Sequence, residues 1–330
     1  MFDTKEVLKN LCEADGFGGL SGALDVAEGY LSKFASVSRV GNSLIGQIKG
    51  KGSYTVMLDA HIDEIGMVVT SVENGFLKVA NVGGIDSRML AAMKVTVHGK
   101  EDVRGVFCSV PPHLDKEDRV SKITDMYIDT GLGKRAEEII SVGDRITFEQ
   151  SFKELLGDRV TAKSLDNRAG CAALISCAQR LANQELNCNV IFLLSDMEEI
   201  GGTGAKINTF SAFPDEAVAV DVSFGDTPDV SREKTGALGG GAMLGISPLL
   251  DKSVTDSLEK AAAQCGVKLQ YEVMGGRTAT NADSITMTKS GVPTGLLSIP
   301  LRNMHTPIEV VDIKDIESVA SILTEYVLSK

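Results

Sequence analysis

Four short polar stretches hold the residues best suited to chemistry, and each follows an apolar run of strand character. They are Ala60-His61-Ile62-Asp63-Glu64, Asp196-Met197-Glu198-Glu199, Asp221-Val222-Ser223 and Met304-His305-Thr306. A fifth, Ser164-Leu165-Asp166-Asn167-Arg168, opens a helix-like run. The chain has only four histidines, and two of them fall in these stretches. Imidazoles and carboxylates in these numbers form a donor set suited to a pair of borderline divalent cations. Open α/β sheets gather their active groups beyond the carboxyl ends of their strands, which is where these stretches lie.

His61 directly follows a strand-like run, with Asp63 close behind. A metal-bound imidazole needs an acceptor for its other ring N–H, so Asp63 is expected to orient His61. Glu64 is assigned no role. Asp166 stands at a helix start, where an Asp is ordinarily an N-cap, but its two oxygens also suit it to bridge two cations. Glu198 and Glu199 end a buried strand, where adjacent carboxylates are costly unless paired or metal-bound. Neighbouring side chains point in different directions, so one can ligate a metal while the other takes a proton from water. Asp221 and His305 each come after a strand-like run, and either one alone says little. His98 and His113 lack a ligand neighbour and read as structural. The Gly239-Gly240-Gly241 run has no Lys-Ser/Thr after it and is no phosphate loop. No Gly-x-Ser-x-Gly motif supports a serine hydrolase.

Elements able to position these groups are legible in the hydrophobic pattern. Residues 5–11, 24–35, 167–181, 254–265 and 313–328 have helical character. Residues 44–49, 54–58, 189–194, 216–222 and 296–299 read as strands. The continuous apolar run at 189–194 is the pattern of a strand buried on both faces. Short alternating segments at 67–72, 76–79, 94–97, 103–109, 126–128 and 145–148 have a different texture, punctuated by Gly, Asn and Asp. Pro111-Pro112 and the charged run 115–119 interrupt them. The expected fold class is α/β, a central mixed sheet flanked by helices with a small β-barrel-like domain inserted. Residues 1–66 and 157–330 would form the catalytic domain and 67–156 the insert.

The 330 residues suffice for a core domain plus such an insert. With 33 basic and 45 acidic side chains the net charge is −12, and no basic patch stands out. Neither nucleic acid nor an anionic membrane is expected as a partner. The first residues do not read as a signal peptide, and no apolar run approaches the roughly 20 residues of a membrane span. Six cysteines without C-x-x-C spacing fit a reduced, cytoplasmic setting.

Taken together and in order, A-H-I-D-E-I-G, K-S-L-D-N-R-A-G, S-D-M-E-E-I-G-G-T-G-A, D-V-S and I-P-L-R-N-M-H-T-P-I-E resemble the dinuclear-metal aminopeptidases that form tetrahedral particles. That family is peptidase family M42, the glutamyl or deblocking aminopeptidases, some members of which are labelled endoglucanases. The resemblance runs from about residue 5 to 328. It implies that Asp166 bridges two metals, that His61 and Asp221 complete one site, and that Glu199 and His305 complete the other. It makes Glu198 the general base toward the water held by the metals, and Asp63 the residue that orients His61. Two divalent ions per subunit are implied, Zn or Co, with Mn also open, and peptides as substrates. The β insert resembles the family's dimerisation domain, so a homo-oligomer is implied, with dimers building a twelve-subunit shell. Four departures from the family pattern bear on substrate choice and rate. They are Asn281 where Asp is common, Asn303 where Tyr is common, Asp196-Met197, and the start motif Ser21-Gly22-Ala23-Leu24. Three other readings stand beside this one: a metal-dependent deacylase on the same core, a glycoside hydrolase using paired carboxylates, and a shell protein whose site has decayed. Five Tyr and no Trp leave few stacking platforms for a sugar.

Overall fold

The computed structural model describes residues 2–111, 113–114 and 121–330, so the charged run 115–119 lies outside the described residues. The chain opens with helices α1 (Thr4–Glu13) and α2 (Gly22–Leu31), then strands β1 (Ser36–Val40), β2 (Ser43–Ile48) and β3 (Thr55–His61). Next come β4 (Gly66–Glu73), β5 (Phe76–Val82), β6 (Lys94–His98), β7 (Asp102–Cys108), β8 (Tyr127–Asp129), α3 (Ala136–Ile139) and β9 (Arg145–Phe148). Short strands β10 (Lys153–Glu154) and β11 (Arg159–Ala162) lead to α4 (Leu165–Leu181), β12 (Asn189–Ser195), α5 (Thr203–Ala212) and β13 (Glu216–Phe224). The rest is β14 (Met243–Ile246), α6 (Lys252–Gln264), β15 (Gln270–Val273), α7 (Asn281–Thr286), β16 (Thr294–Leu301), β17 (Glu309–Asp312) and α8 (Ile313–Leu328).

The expected mixed sheet with a barrel insert is what forms. Eight strands run in the order β1-β2-β12-β3-β13-β16-β14-β15. The centre, β12, β3, β13 and β16, is parallel, while β2 and β14 join it antiparallel. Parallel centres are covered on both faces, which explains the unbroken apolar runs. In β12, Val190, Phe192 and Leu194 pack into the core under α1, α2, α4 and α8, while Ile191 and Leu193 face the smaller core beside α5 and α7. Strands β4, β5, β8, β7, β6 and β9 close into a barrel with its own core, including Met67, Val97, Phe107 and Ile146. Alternation of buried and exposed residues along β6 and β7 is the period-two pattern of a one-sided strand.

Two local readings change. Residues 24–35 are not one helix, because α2 ends at Leu31 and the exposed strand β1 begins five residues later. Asp221 is not past a strand end, since β13 continues through it to Phe224. Among the described residues, no helix is long and apolar enough to cross a membrane.

Candidate metal centre

Parallel strands β3, β12, β13 and β16 all point their carboxyl ends toward one cavity of ≈ 390 Å³. His61, Asp166, Glu198, Glu199, Asp221 and His305 line it, and among the described residues no Lys or Arg does. Two groups of ligand atoms form there. His61, Asp166 and Asp221 are one, and Asp166, Glu199 and His305 are the other, so Asp166 belongs to both. His61 Nε2 lies 3.0 Å from Asp166 Oδ1 and 3.7 Å from Asp221 Oδ1. His305 Nε2 lies 3.4 Å from Asp166 Oδ2 and 3.5 Å from Glu199 Oε2. Asp166 thus presents a different oxygen to each imidazole.

Asp166 is free to do this because it is not the helix cap. The first residues of α4, Asp166 and Asn167, are outside helical φ/ψ, and the peptide joining them is cis. Asn167 Oδ1 accepts the N–H of Gly170 at 3.0 Å and does the capping. The Asp166 backbone N–H instead donates to Glu309 Oε2 at 3.0 Å. Glu309 Oε1 accepts the N–H of His305 at 2.9 Å, holding that residue in a left-handed conformation at φ 60°. One buried carboxylate on β17 therefore fixes the backbones of two candidate ligands. Sequence reasoning missed this role, although Glu309 closes the motif I-P-L-R-N-M-H-T-P-I-E.

Asp63 lies behind the site. Its Oδ1 is 3.3 Å from His61 Nδ1, which lacks an aligned hydrogen bond. Its two oxygens also accept the backbone N–H of Glu198 at 3.1 Å and of Glu199 at 3.2 Å. Asp63 thereby clamps the loop that carries both glutamates. Glu64, given no role from sequence, is a buried anchor. It accepts from Gly16 N at 2.9 Å, Lys163 Nζ at 2.6 Å, Ser164 Oγ and Arg168 Nη2. Burial works against its charge, but Lys163 and Arg168 prevail and hold its pKa at about 2. Another buried network joins the sheet to α7: Asp59 accepts from Ser195 Oγ at 2.7 Å and Asn281 Nδ2 at 2.9 Å. His98, read as lacking a ligand neighbour, sits between Asp102 (2.8 Å) and Asp15 (3.6 Å), far from the two groups in chain and in the barrel.

Electrostatics make this a poor arrangement for a protein alone. Burial, together with the charge of Asp166, pushes Glu199 up to about 8. Burial likewise raises Glu198 from its ordinary value and Asp221 well above its own. For His61, burial opposes protonation, but the hydrogen bond to Asp166 and the nearby charges of Asp63 and Asp221 outweigh it and leave the pKa well above its usual value. His305 is raised to about 9, mainly by its hydrogen bond to Asp166. Buried carboxylates crowded together without a basic side chain are stabilised by divalent cations. The donor set, imidazole nitrogens and carboxylate oxygens with one carboxylate common to both groups, fits two borderline ions.

Known aminopeptidases are similar to this chain in sequence and in fold. The family model for M42 glutamyl aminopeptidases matches residues 42–322. The lysyl aminopeptidase of Pyrococcus furiosus is 30% identical over 328 residues, covering 95% of this chain and 93% of that protein. The aminopeptidase APDkam598 from Desulfurococcus kamchatkensis superposes with a TM-score of 0.93 at 29% identity, covering 99% of this chain and 95% of that one. The Pyrococcus horikoshii TET1 peptidase, described as able to assemble into a tetrahedron or a large octahedral shell, superposes with a TM-score of 0.87 at 28% identity. The match covers 99% of this chain and 100% of that one.

Proposed function

The chain belongs to the M42 glutamyl aminopeptidase family and is a peptidase of the aminopeptidase kind; we propose that it removes N-terminal residues from peptides with two divalent metal ions and Glu198 as general base. The observation that carries this reading is the sharing of Asp166 between two ligand groups in one cavity. His61, Asp166 and Asp221 would hold one ion, and Asp166, Glu199 and His305 the other. Zn or Co suits these donors best, and Mn is also compatible. When bound, the ions supply Lewis acidity toward the scissile carbonyl and make a water molecule acidic enough to attack at neutral pH.

The protein's own groups do the rest. Glu198 lines the cavity without belonging to either ligand group, which leaves it available to move a proton. Its raised pKa suits a carboxylate that takes a proton from water and returns it to the leaving amine. Asp63 keeps Glu198 and Glu199 in register by holding both backbone N–H groups. Residues 1–66 and 157–330 form the catalytic unit in this reading, and the 67–156 insert serves dimerisation. Assembly of dimers into a dodecamer is supported by the likeness to a TET1 peptidase described as a dodecamer. The six free cysteines suit a reducing cytoplasm.

The test is hydrolysis of free-amine peptides by protein stripped with a chelator and then given Zn, Co or Mn. Activity should vanish on stripping and return with metal. Glu198→Gln should bind metal normally and lose roughly two to four powers of ten in turnover. Wild-type activity in that variant would remove Glu198 from the mechanism.

A further inference from the structure

The cavity holds one carboxylate that the proposed chemistry does not use. Glu272 lines it from β15, the edge strand of the large sheet. Side chains alternate along a strand. Tyr271 and Val273 line a separate apolar hollow beside α6, while Glu272 faces the candidate site. It reaches past β14 to two hydroxyls on inner strands. Ser223 Oγ of β13 donates to its Oε1, and Ser298 Oγ of β16 donates to its Oε2 at 3.0 Å. Each carboxylate oxygen keeps a free acceptor position. Among the described residues, no Lys, Arg or His lies within ion-pair distance of Glu272. Val222, Phe224, Thr278, Ala279, Thr280 and Met304 also line the cavity, a wall that is apolar or hydroxylic.

A carboxylate fixed in a substrate cavity without a counter-charge disfavours acidic ligands and favours cationic ones. The proposed metals would be held by Asp166, Glu199 and Asp221, and Glu198 is reserved for proton transfer, which leaves Glu272 as the cavity carboxylate with neither task. The apolar wall suits an aliphatic stem ending in a charge. We propose that Glu272 sets substrate preference, selecting peptides whose N-terminal residue is basic, Lys or Arg. This rests on the aminopeptidase reading for its substrate and on the Glu272 geometry for its selectivity. The hydroxyls of Ser223 and Ser298 are positioning groups that hold the carboxylate ready, so little side-chain freedom is lost when a cation binds.

The experiment compares L-lysine amide with L-norleucine amide, the same side chain without its ammonium, by calorimetry on Zn-loaded protein. Lysine amide should bind roughly tenfold or more tighter. In Glu272→Gln that ratio should fall to near one. Equal affinities in the wild type, or an unchanged ratio in the variant, would overturn the proposal. So would equal weakening of both ligands, which would assign Glu272 to the α-amine. Hydrolysis of Lys, Arg, Leu and Glu anilides completes the test. Turnover that favours Leu or Glu would sink the selectivity and leave the aminopeptidase reading standing. A charge-dependent binding ratio with no hydrolysis under any metal would do the reverse.

Discussion

Replacing Asp63 with Asn should weaken both groups of metal ligands at once, although Asp63 belongs to neither. Its carboxylate accepts the N–H of Glu198 and of Glu199 and faces His61 Nδ1. Asn retains one acceptor oxygen and turns an NH2 toward the other donor, so one backbone bond is lost and a donor meets a donor. A hydrogen bond to a charged acceptor contributes about 1.5–3 kcal/mol. At 1.4 kcal/mol per power of ten, that is roughly 10- to 100-fold, the range usual for partners behind a metal site. His61 sits in one group and Glu199 in the other, so both should loosen. Zinc calorimetry on stripped wild type and on Asp63→Asn reads this directly. Weakening of a single ion would reduce Asp63 to an orienter of His61. Two affinities within a factor of three of wild type would refute the clamp altogether.

Gly84, in the loop after β5, packs on His305: a Cβ there would fall 2.7 Å from His305 Nδ1. Gly84→Ala should push the imidazole and cost about tenfold in kcat/KM, with less metal retained after dialysis. Glu64 has a folded pKa of about 2 against an ordinary 4.5, so its contribution is complete above pH 4.5 and is lost as pH falls toward 2. That shift corresponds to about 3 kcal/mol. Denaturation of Glu64→Gln between pH 3 and 7 should show lower stability at neutral pH and a shallower acid-side slope; parallel curves would contradict the assignment. Glu309→Ala removes the acceptor of both Asp166 N and His305 N and should lower stability by about 1–3 kcal/mol per abandoned donor, measured by urea unfolding.

Much of this architecture is legible in sequence because its forces are local or periodic. The apolar run of β12 and the alternation in β6 and β7 reflect burial on two faces and on one. What escapes is set by tertiary context. Strand β1, Ser36–Val40, is short and largely exposed, and it forms by pairing with β2. Strands β14, β15 and β17 have four residues each, too few for a periodic signal. Asp166 has the sequence position of a cap, but Asn167 beside it takes that task. Glu309 and Glu272 look like ordinary surface acids until the fold sets one beneath Asp166 and the other across from Ser223. Asn281, notable as a departure, turns out to donate to Asp59 beneath the site, a partner 222 residues away in sequence.

Anomalous diffraction from crystals grown with zinc tests the central claim most directly. Two peaks per subunit are expected, one bounded by His61, Asp166 and Asp221 and the other by Asp166, Glu199 and His305. Asp166 should touch both, and Glu198 neither. A single peak, or an ion liganded by Glu198, would contradict the shared-carboxylate site and the role given to Glu198.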